Sequence, residues 1–271
     1  GEIGIHLHED TAALVSDNTV SAFGELGYYE SWSSGTTLTG NTFDGNYEGA
    51  EIGDDSDGFA SNDTISNNFF RNSYYEGIQD FNSDLNTYTG NVATNNGIEC
   101  GTSPDVDCSG FYIYPDEDGS VTMTNNYSRL NSYGYYTYYA YNSDSYASTR
   151  SLFSGNSATY NDYGFYDYYS VLSTWSDNTA YGNNYDGFYF DYPDHETITG
   201  NLSTQNGSGV GDGFYFDDNY APYQPLTFAN NTATYNGNYG FEAAYPLSAS
   251  SGNVGNSTNG TDDCWYISGC S

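Results

Sequence analysis

Residues 153–165 read Phe-Ser-Gly-Asn-Ser-Ala-Thr-Tyr-Asn-Asp-Tyr-Gly-Phe, and this phrase decides the fold. Its first half, an apolar residue, any residue, a small residue or Asn, then Asn, recurs along the chain. It ends at Asn41, Asn68, Asn91, Asn126, Asn156, Asn178, Asn201 and Asn231, with weaker copies at Asn18 and Asn253. Successive intervals are 23, 27, 23, 35, 30, 22, 23, 30 and 22 residues, so the base period is 22–23 with insertions in the longer turns. Eight or nine residues after most of these asparagines comes a second phrase, Gly then an aromatic or Ile, as in Gly77-Ile78, Gly134-Tyr135, Gly164-Phe165, Gly187-Phe188 and Gly240-Phe241; Gly213-Phe214 repeats it after a longer gap. A unit this short, made of alternating stretches and turn residues, cannot bury its apolar face alone, but stacked copies can. The expectation is an all-β chain: one β-solenoid domain over residues 1–271, of about ten coils, rising by one strand spacing per coil.

Composition agrees. The 271 residues hold 32 Tyr, 15 Phe and 3 Trp, and 18% aromatic content separates the chain from disordered sequences. Gly, with Asn, Ser and Asp, supplies turns. Against 36 acidic residues stand three arginines and no lysine, for a formal charge of −33. Such a surface repels phosphate backbones and anionic lipid, which excludes nucleic acid as a partner. No apolar run approaches a membrane span, and insertion is not expected. No leader is visible, and Gly1 fits a processed N-terminus. The charge also suits a salt-rich medium that screens self-repulsion.

The Asn-x-x-x-x-Asn-x-x-Gly-Phe spacing of Asn156 to Phe165 resembles the repeats of right-handed parallel β-helices, across nearly the whole chain. That family includes pectate-lyase-like enzymes, periplasmic accessory proteins of nitrous-oxide metabolism and archaeal surface proteins. The resemblance implies fold more than function. It assigns the phrase asparagines to an inward hydrogen-bonded stack.

Four cysteines fall in two local pairs, Cys100 with Cys108 and Cys264 with Cys270. The spacings exceed those usual for zinc, and two disulfides of an oxidising compartment are expected, the first stapling the longest insertion. Seven Asn-x-Ser/Thr sequons are about as many as composition alone supplies; Asn62, Asn230, Asn256 and Asn259 are expected to face solvent as glycosylation sites. Acid-rich turns at Asp54, Asp55 and Asp57 and at Asp116, Glu117 and Asp118 offer hard oxygen ligands for Ca²⁺, the one cofactor considered. His6 and His8 share one strand face and read as an exposed or interface pair.

The enzymes of this fold act on polysaccharides. The fourth residue after the repeat glycine is Asp191 in one coil and Asp217 in the next, which stacking would bring to about 5 Å, as in retaining glycosidases. Tyr192 to Glu196 also resembles, in altered order, an Asp-Pro-His motif of alginate epimerases. Uronate chemistry of that kind uses Lys or Arg, which these coils lack. The chain is read as a non-enzyme, with no catalytic residue assigned.

Two residues past the repeat glycine stand Tyr112, Tyr136, Tyr166, Tyr189 and Tyr215, and alternation turns them outward. Tyrosine has an apolar ring and a wet hydroxyl, which suits an interface or a glycan. The chain opens on Gly4-Ile5-His6-Leu7 and closes on Cys264-Trp265-Tyr266-Ile267, at the same phase of the coil. The leading expectation is a secreted structural protein whose copies stack head to tail into an extracellular filament or sheath, with Trp265 and Ile267 meeting Ile5 and Leu7. The alternative is a monomeric cell-surface adhesin binding glycan through the tyrosines, and the third is a polysaccharide-active enzyme.

Overall fold

The computed structural model describes residues 1–53, 58–100, 106–115, 119–138, 150–217, 226–247, 250–255 and 259–270. Among these, the strands form three long parallel sheets. The first has eleven strands, running in chain order from Ile5–His8 through Tyr163–Tyr168 to Asp262–Ile267. The second runs from Leu14–Ser16 to Ser250–Ser251 and the third from Thr19–Ser21 to Val254–Gly255, ten strands each. Every coil visits the sheets in the same order, so each strand pairs with its equivalent one coil on. Among the described residues, helical structure is confined to two single 3₁₀ turns, Ile98–Cys100 and Val106–Cys108.

The repeated phrase is the corner between the second and third sheets. The residue before each ladder asparagine has left-handed backbone, with φ of 66° at Gly155, 54° at Asp177 and 70° at Gly200. Only Gly, Asn and Asp adopt this readily, which is why the phrase ends as it does. The asparagine that follows then bridges coils. Asn156 donates its backbone N–H and Nδ2 to Asn178 Oδ1 at 2.9 and 3.1 Å, and Nδ2 also reaches back to Met123 O at 2.9 Å. The same pattern runs unbroken from Asn18 to Asn253.

A second ladder stands one corner later. Asn96, Asn131, Asn161, Asn183, Asn206, Asn236 and Asn259 bond in the same way. Ser73 interrupts it, leaving a buried Oγ without a partner. The repeat glycine follows from this ladder: a Cβ on Gly164 would lie 2.4 Å from Gly187 O and 2.9 Å from Asn183 Nδ2.

The core is a set of aromatic columns. Phe111, Tyr135, Phe165, Phe188, Phe214 and Phe241 stack with centroids 4.6–5.1 Å apart, the spacing of the strands that carry them. Trp175 lies on Phe153 at 3.9 Å. Cys100–Cys108 and Cys264–Cys270 are both disulfide-bonded. The first ties the two 3₁₀ turns together ahead of strand Ser109–Tyr114.

Several sequence expectations need correction or relocation. Asn259 is not a free acceptor site: its Oδ1 receives Asn236 and its Nδ2 donates to Ala233 O and Asp263 Oδ1. Asn62 and Asn230 are exposed as expected, while Asn256 lies outside the described residues. So do Asp54, Asp55, Asp57, Asp116, Glu117 and Asp118, the proposed Ca²⁺ ligands. Ile267 is buried in the core rather than presented at an end, and Ile5 and Leu7 pack against that core. Trp265 points to the opposite side of its strand from these residues. In register it shares a row with His6, so an end-to-end contact would bring Trp265 to His6 and not to Ile5 and Leu7.

Candidate functional site

The outer face of the first sheet carries the densest concentration of chemistry. Three rows of side chains cross it, one per outward strand position. The middle row runs from His6 through Tyr29, Glu51 and Gln79 to Tyr112, Tyr136, Tyr166, Tyr189 and Tyr215, and ends at Glu242 and Trp265. The five tyrosines are in exact register on adjacent strands, as the repeat spacing predicts. A second row holds Phe81, Tyr114, Tyr138 and Tyr168, and then Asp191 and Asp217. The third holds Glu48, Glu76, Tyr133 and Tyr163, followed by Asp186 and Asp212.

These rings do not form a flat apolar patch. Tyr166 and Tyr189 stack at 4.4 Å and 6°, Tyr138 and Tyr168 at 5.1 Å and 1°, and Tyr133 and Tyr163 at 5.1 Å and 7°. Along the middle row Tyr136, Tyr166 and Tyr189 stack face to face while Tyr112 meets Tyr136 edge-on and Tyr215 is tilted, and Tyr136 is buried with Tyr112, Tyr166, Tyr189 and Tyr215 half-buried. In the middle row this places one tyrosine hydroxyl per coil from Tyr112 to Tyr215. Burial pushes Tyr112, Tyr163 and Tyr215 up to about 12 and raises Tyr136, Tyr166 and Tyr189 further, so all remain protonated donors at neutral pH. Tyr189 donates to Asp217 Oδ2 at 2.9 Å.

Acids frame this comb on both sides. Toward the chain's start, Tyr47, Glu48, Tyr75, Glu76, Gln79, Phe81 and Asp107 line a cleft of about 300 Å³. Burial, with Asp107 and Glu25 nearby, lifts Glu48 to about 7, and burial beside Glu48 holds Glu76 well above the usual carboxylate range. Toward the other end, Asp212 N–H donates to Asp186 Oδ1 at 2.6 Å and Tyr239 N–H to Asp212 Oδ1 at 2.8 Å. Burial lifts Asp186 to about 7, with Glu242 adding to it, and burial beside Asp186 lifts Asp212 to about 8. The sequence reading singled out none of these acids, because 36 acidic residues mask the few that stacking draws into one place. Their position directly before the repeat glycine was the available signal.

Asp191 and Asp217 are adjacent across the ladder, as the spacing predicts. His195 pairs with Asp194 beyond the strand end. The described arginines of the repeats stand elsewhere: Arg71 pairs with Asp44 at 2.9 Å and Arg129 lies over the Tyr160 ring, both on the third sheet. His6 rests on Tyr29 at 4.9 Å and His8 bonds Ser31 Oγ. Among the described residues no three His, Cys, Asp or Glu side chains converge as metal ligands. A second cleft, of about 550 Å³ and lined by Asn95, Ile98, Leu130 and Tyr160 among others, opens at the corner beside Cys100, away from the tyrosines.

No curated protein matches this chain. Among solved structures, the A-module of the mannuronan C-5 epimerase AlgE4 from Azotobacter vinelandii is similar, with a TM-score of 0.56 and 14% identity over 95% of this chain and 80% of that one. A mutant of the periplasmic alginate epimerase AlgG gives a TM-score of 0.48 and 13% identity over 93% of this chain, which spans about half (55%) of AlgG. The Dettilon tailspike protein gives 0.39 and 13% over 94% of this chain and 60% of its own. At such identities the likeness is one of fold. The family model for the right-handed β-helix region matches residues 1–149 and 133–254, and with the three stacked parallel sheets this establishes that the chain belongs to the right-handed β-helix family.

Proposed function

We propose that the protein is a glycan-binding β-helix of an extracytoplasmic surface, and that the tyrosine comb of the first sheet is its binding face. The observation that carries this reading is the five-coil register of Tyr112, Tyr136, Tyr166, Tyr189 and Tyr215, with ring spacings of 4.4–5.3 Å between neighbours. A tyrosine recurring once per strand spacing of about 4.8 Å, with a hydroxyl able to donate and accept, suits the repeating residues of an extended sugar chain. The flanking acids and the net charge of −33 disfavour polyuronates and favour a neutral glycan. Two disulfides support an oxidising compartment. The acids of the same face also keep a hydrolase open as a further reading, with Asp191 and Asp217 as its carboxylates.

The test is a binding panel of neutral oligosaccharides and polyuronates, read by calorimetry. Tyr166→Phe and Tyr189→Phe keep the ring stack and remove one hydroxyl each. If those hydroxyls bind sugar, each loss weakens affinity by about five- to tenfold, from roughly 1 kcal/mol per hydrogen bond. Unchanged affinity in both variants, or preference for polyuronate, refutes the reading. Turnover of a bound oligosaccharide would move the assignment to the enzyme.

End-to-end assembly stands as a second reading, supported by one observation. Ile5–His8 and Asp262–Ile267 are the two edge strands of one parallel sheet, and Trp265 is 45% exposed. A parallel edge can pair with the opposite edge of another copy. Light scattering across a salt series separates the two: particles that stay near 29.7 kDa at all salt concentrations dismiss the filament.

A further inference from the structure

The inward position at the end of each first-sheet strand is apolar in most coils: Ile52, Ile113, Phe190, Phe216 and Ala243. In three coils the same position holds an acid, namely Glu30, Asp80 and Asp167, each at most 1% exposed. Opposite them, at the entry to the second sheet, lie Asp63 and Glu196, both 1% exposed. Burying a carboxylate demands a cation or a full set of donors.

Around Asp167 and Glu196 neither is complete. Thr137 and Ser170 hydroxyls both donate to Asp167 Oδ1. Asp167 Oδ2 and both Glu196 oxygens are buried with no partner if both groups are written as carboxylates. The groups ranged around Glu196 are Asp167, Asp194 and the buried Trp175 Nε1–H, a donor that can serve one Glu196 oxygen, and those around Asp167 are Glu196, Thr137 and Ser170; none is basic. Arg71, Arg129 and Arg150 are all exposed. Two facing acceptors become a hydrogen-bonded pair when a proton sits between them.

We infer that Asp167 and Glu196 share a proton inside the native coil and that losing it as pH rises is a switch on the solenoid, with Asp167 on the strand that carries Tyr166 and Tyr168. The inference is independent of what the tyrosine face binds. Burial raises both groups above the usual carboxylate range; Asp167 raises Glu196 further, while the hydrogen bond with Glu196 holds Asp167 down, so the proton resides mainly on Glu196. The Glu30, Asp63 and Asp80 cluster buries acids at the same positions three to five coils earlier, with Tyr28 and Tyr88 as donors to Glu30 and Asp80. Burial lifts Asp63 to about 8 and Asp80 to about 6. Because folded values exceed unfolded ones near 4, the native state binds more protons, and stability is lost as pH rises through the folded values.

Thermal melts of the full chain between pH 5 and 9 test this, in 1 M salt to suppress surface repulsion. The melting temperature should fall by several degrees across that range. Asp167→Asn with Glu196→Gln replaces the shared proton by amide donors and should flatten the profile and raise the melting temperature at pH 9. An equal slope in wild type and variant overturns the inference. Infrared spectra at pH 6 give a second readout. A protonated-carboxyl band should weaken in either single variant, and identical bands in wild type and both singles overturn it even if the double variant does not fold.

Discussion

Replacing Asn156 with leucine removes four hydrogen bonds at once. Its Nδ2 no longer reaches Asn178 Oδ1 or Met123 O, and its Oδ1 no longer receives the backbone N–H and Nδ2 of Asn126, at 3.0 and 3.1 Å. The backbone N–H of residue 156 keeps its bond to Asn178. With Asn156 only 1% exposed, water cannot replace the lost partners. At about 1 kcal/mol net per bond the loss is roughly 4 kcal/mol, and the orphaned Asn126 N–H pushes toward the higher side. Leucine also has to fit where a planar amide stacked between two others. Because a solenoid's stability is a sum of coil and interface contributions, the damage should centre on the Asn126–Asn178 coils. Urea denaturation gives the size, and amide exchange gives the location, with Asn126 N–H losing most protection. Asn184, whose exposed amide bonds Asp162, is the control: Asn184→Leu should change stability by less than about 0.5 kcal/mol. A loss at Asn156 no larger than at Asn184 would refute the ladder as a source of stability.

Ser73→Asn should fill the gap in the second ladder, giving Asn46 N–H an acceptor and adding a donor toward Asn96. A gain of about 1 kcal/mol is expected by urea melts. Leu130 has φ of 56° and is 47% exposed, so Leu130→Asn should stabilise by about 0.5–1 kcal/mol by relieving left-handed strain, read as a higher melting temperature. Cys264→Ser opens a bridge across a separation of six residues, and about 2 kcal/mol should be lost by the chain-entropy relation, with faster exchange confined to strand Asp262–Ile267. Intact mass of the unreduced protein should fall short of the reduced form by four hydrogens, and alkylation of the native protein should label no cysteine.

What the chain spells out locally is what repeats. The Asn of each phrase, the Gly, Asn or Asp before it and the Gly that opens the first-sheet strand are set by one corner's φ and one close approach. Each recurs on a base period of 22–23 residues lengthened by insertions, so the coil, its corners and the outward tyrosine row are legible without coordinates. Alternation alone also separates Phe165 inside from Tyr166 outside. The second asparagine ladder was legible too, since Asn96, Asn131, Asn161, Asn183, Asn206 and Asn236 each stand five residues after a first-ladder asparagine, and Ser73 breaks the pattern at that same offset.

Other features depend on which coils become neighbours and on how side chains settle across them, and only the tertiary structure decided these. Tyrosines that composition reads as an exposed sheet cover one another at 4.4–5.3 Å. Asn259 reads as a sequon until the ladder claims its amide. Ile267 reads as an end residue, yet beside Leu247 and after the left-handed Tyr266 it lies in the core. Asp167 and Glu196, 29 residues apart and lost among 36 acids, reveal their role only because a parallel stack turns one coil's strand end toward the next coil's corner, where water is excluded and no cation follows.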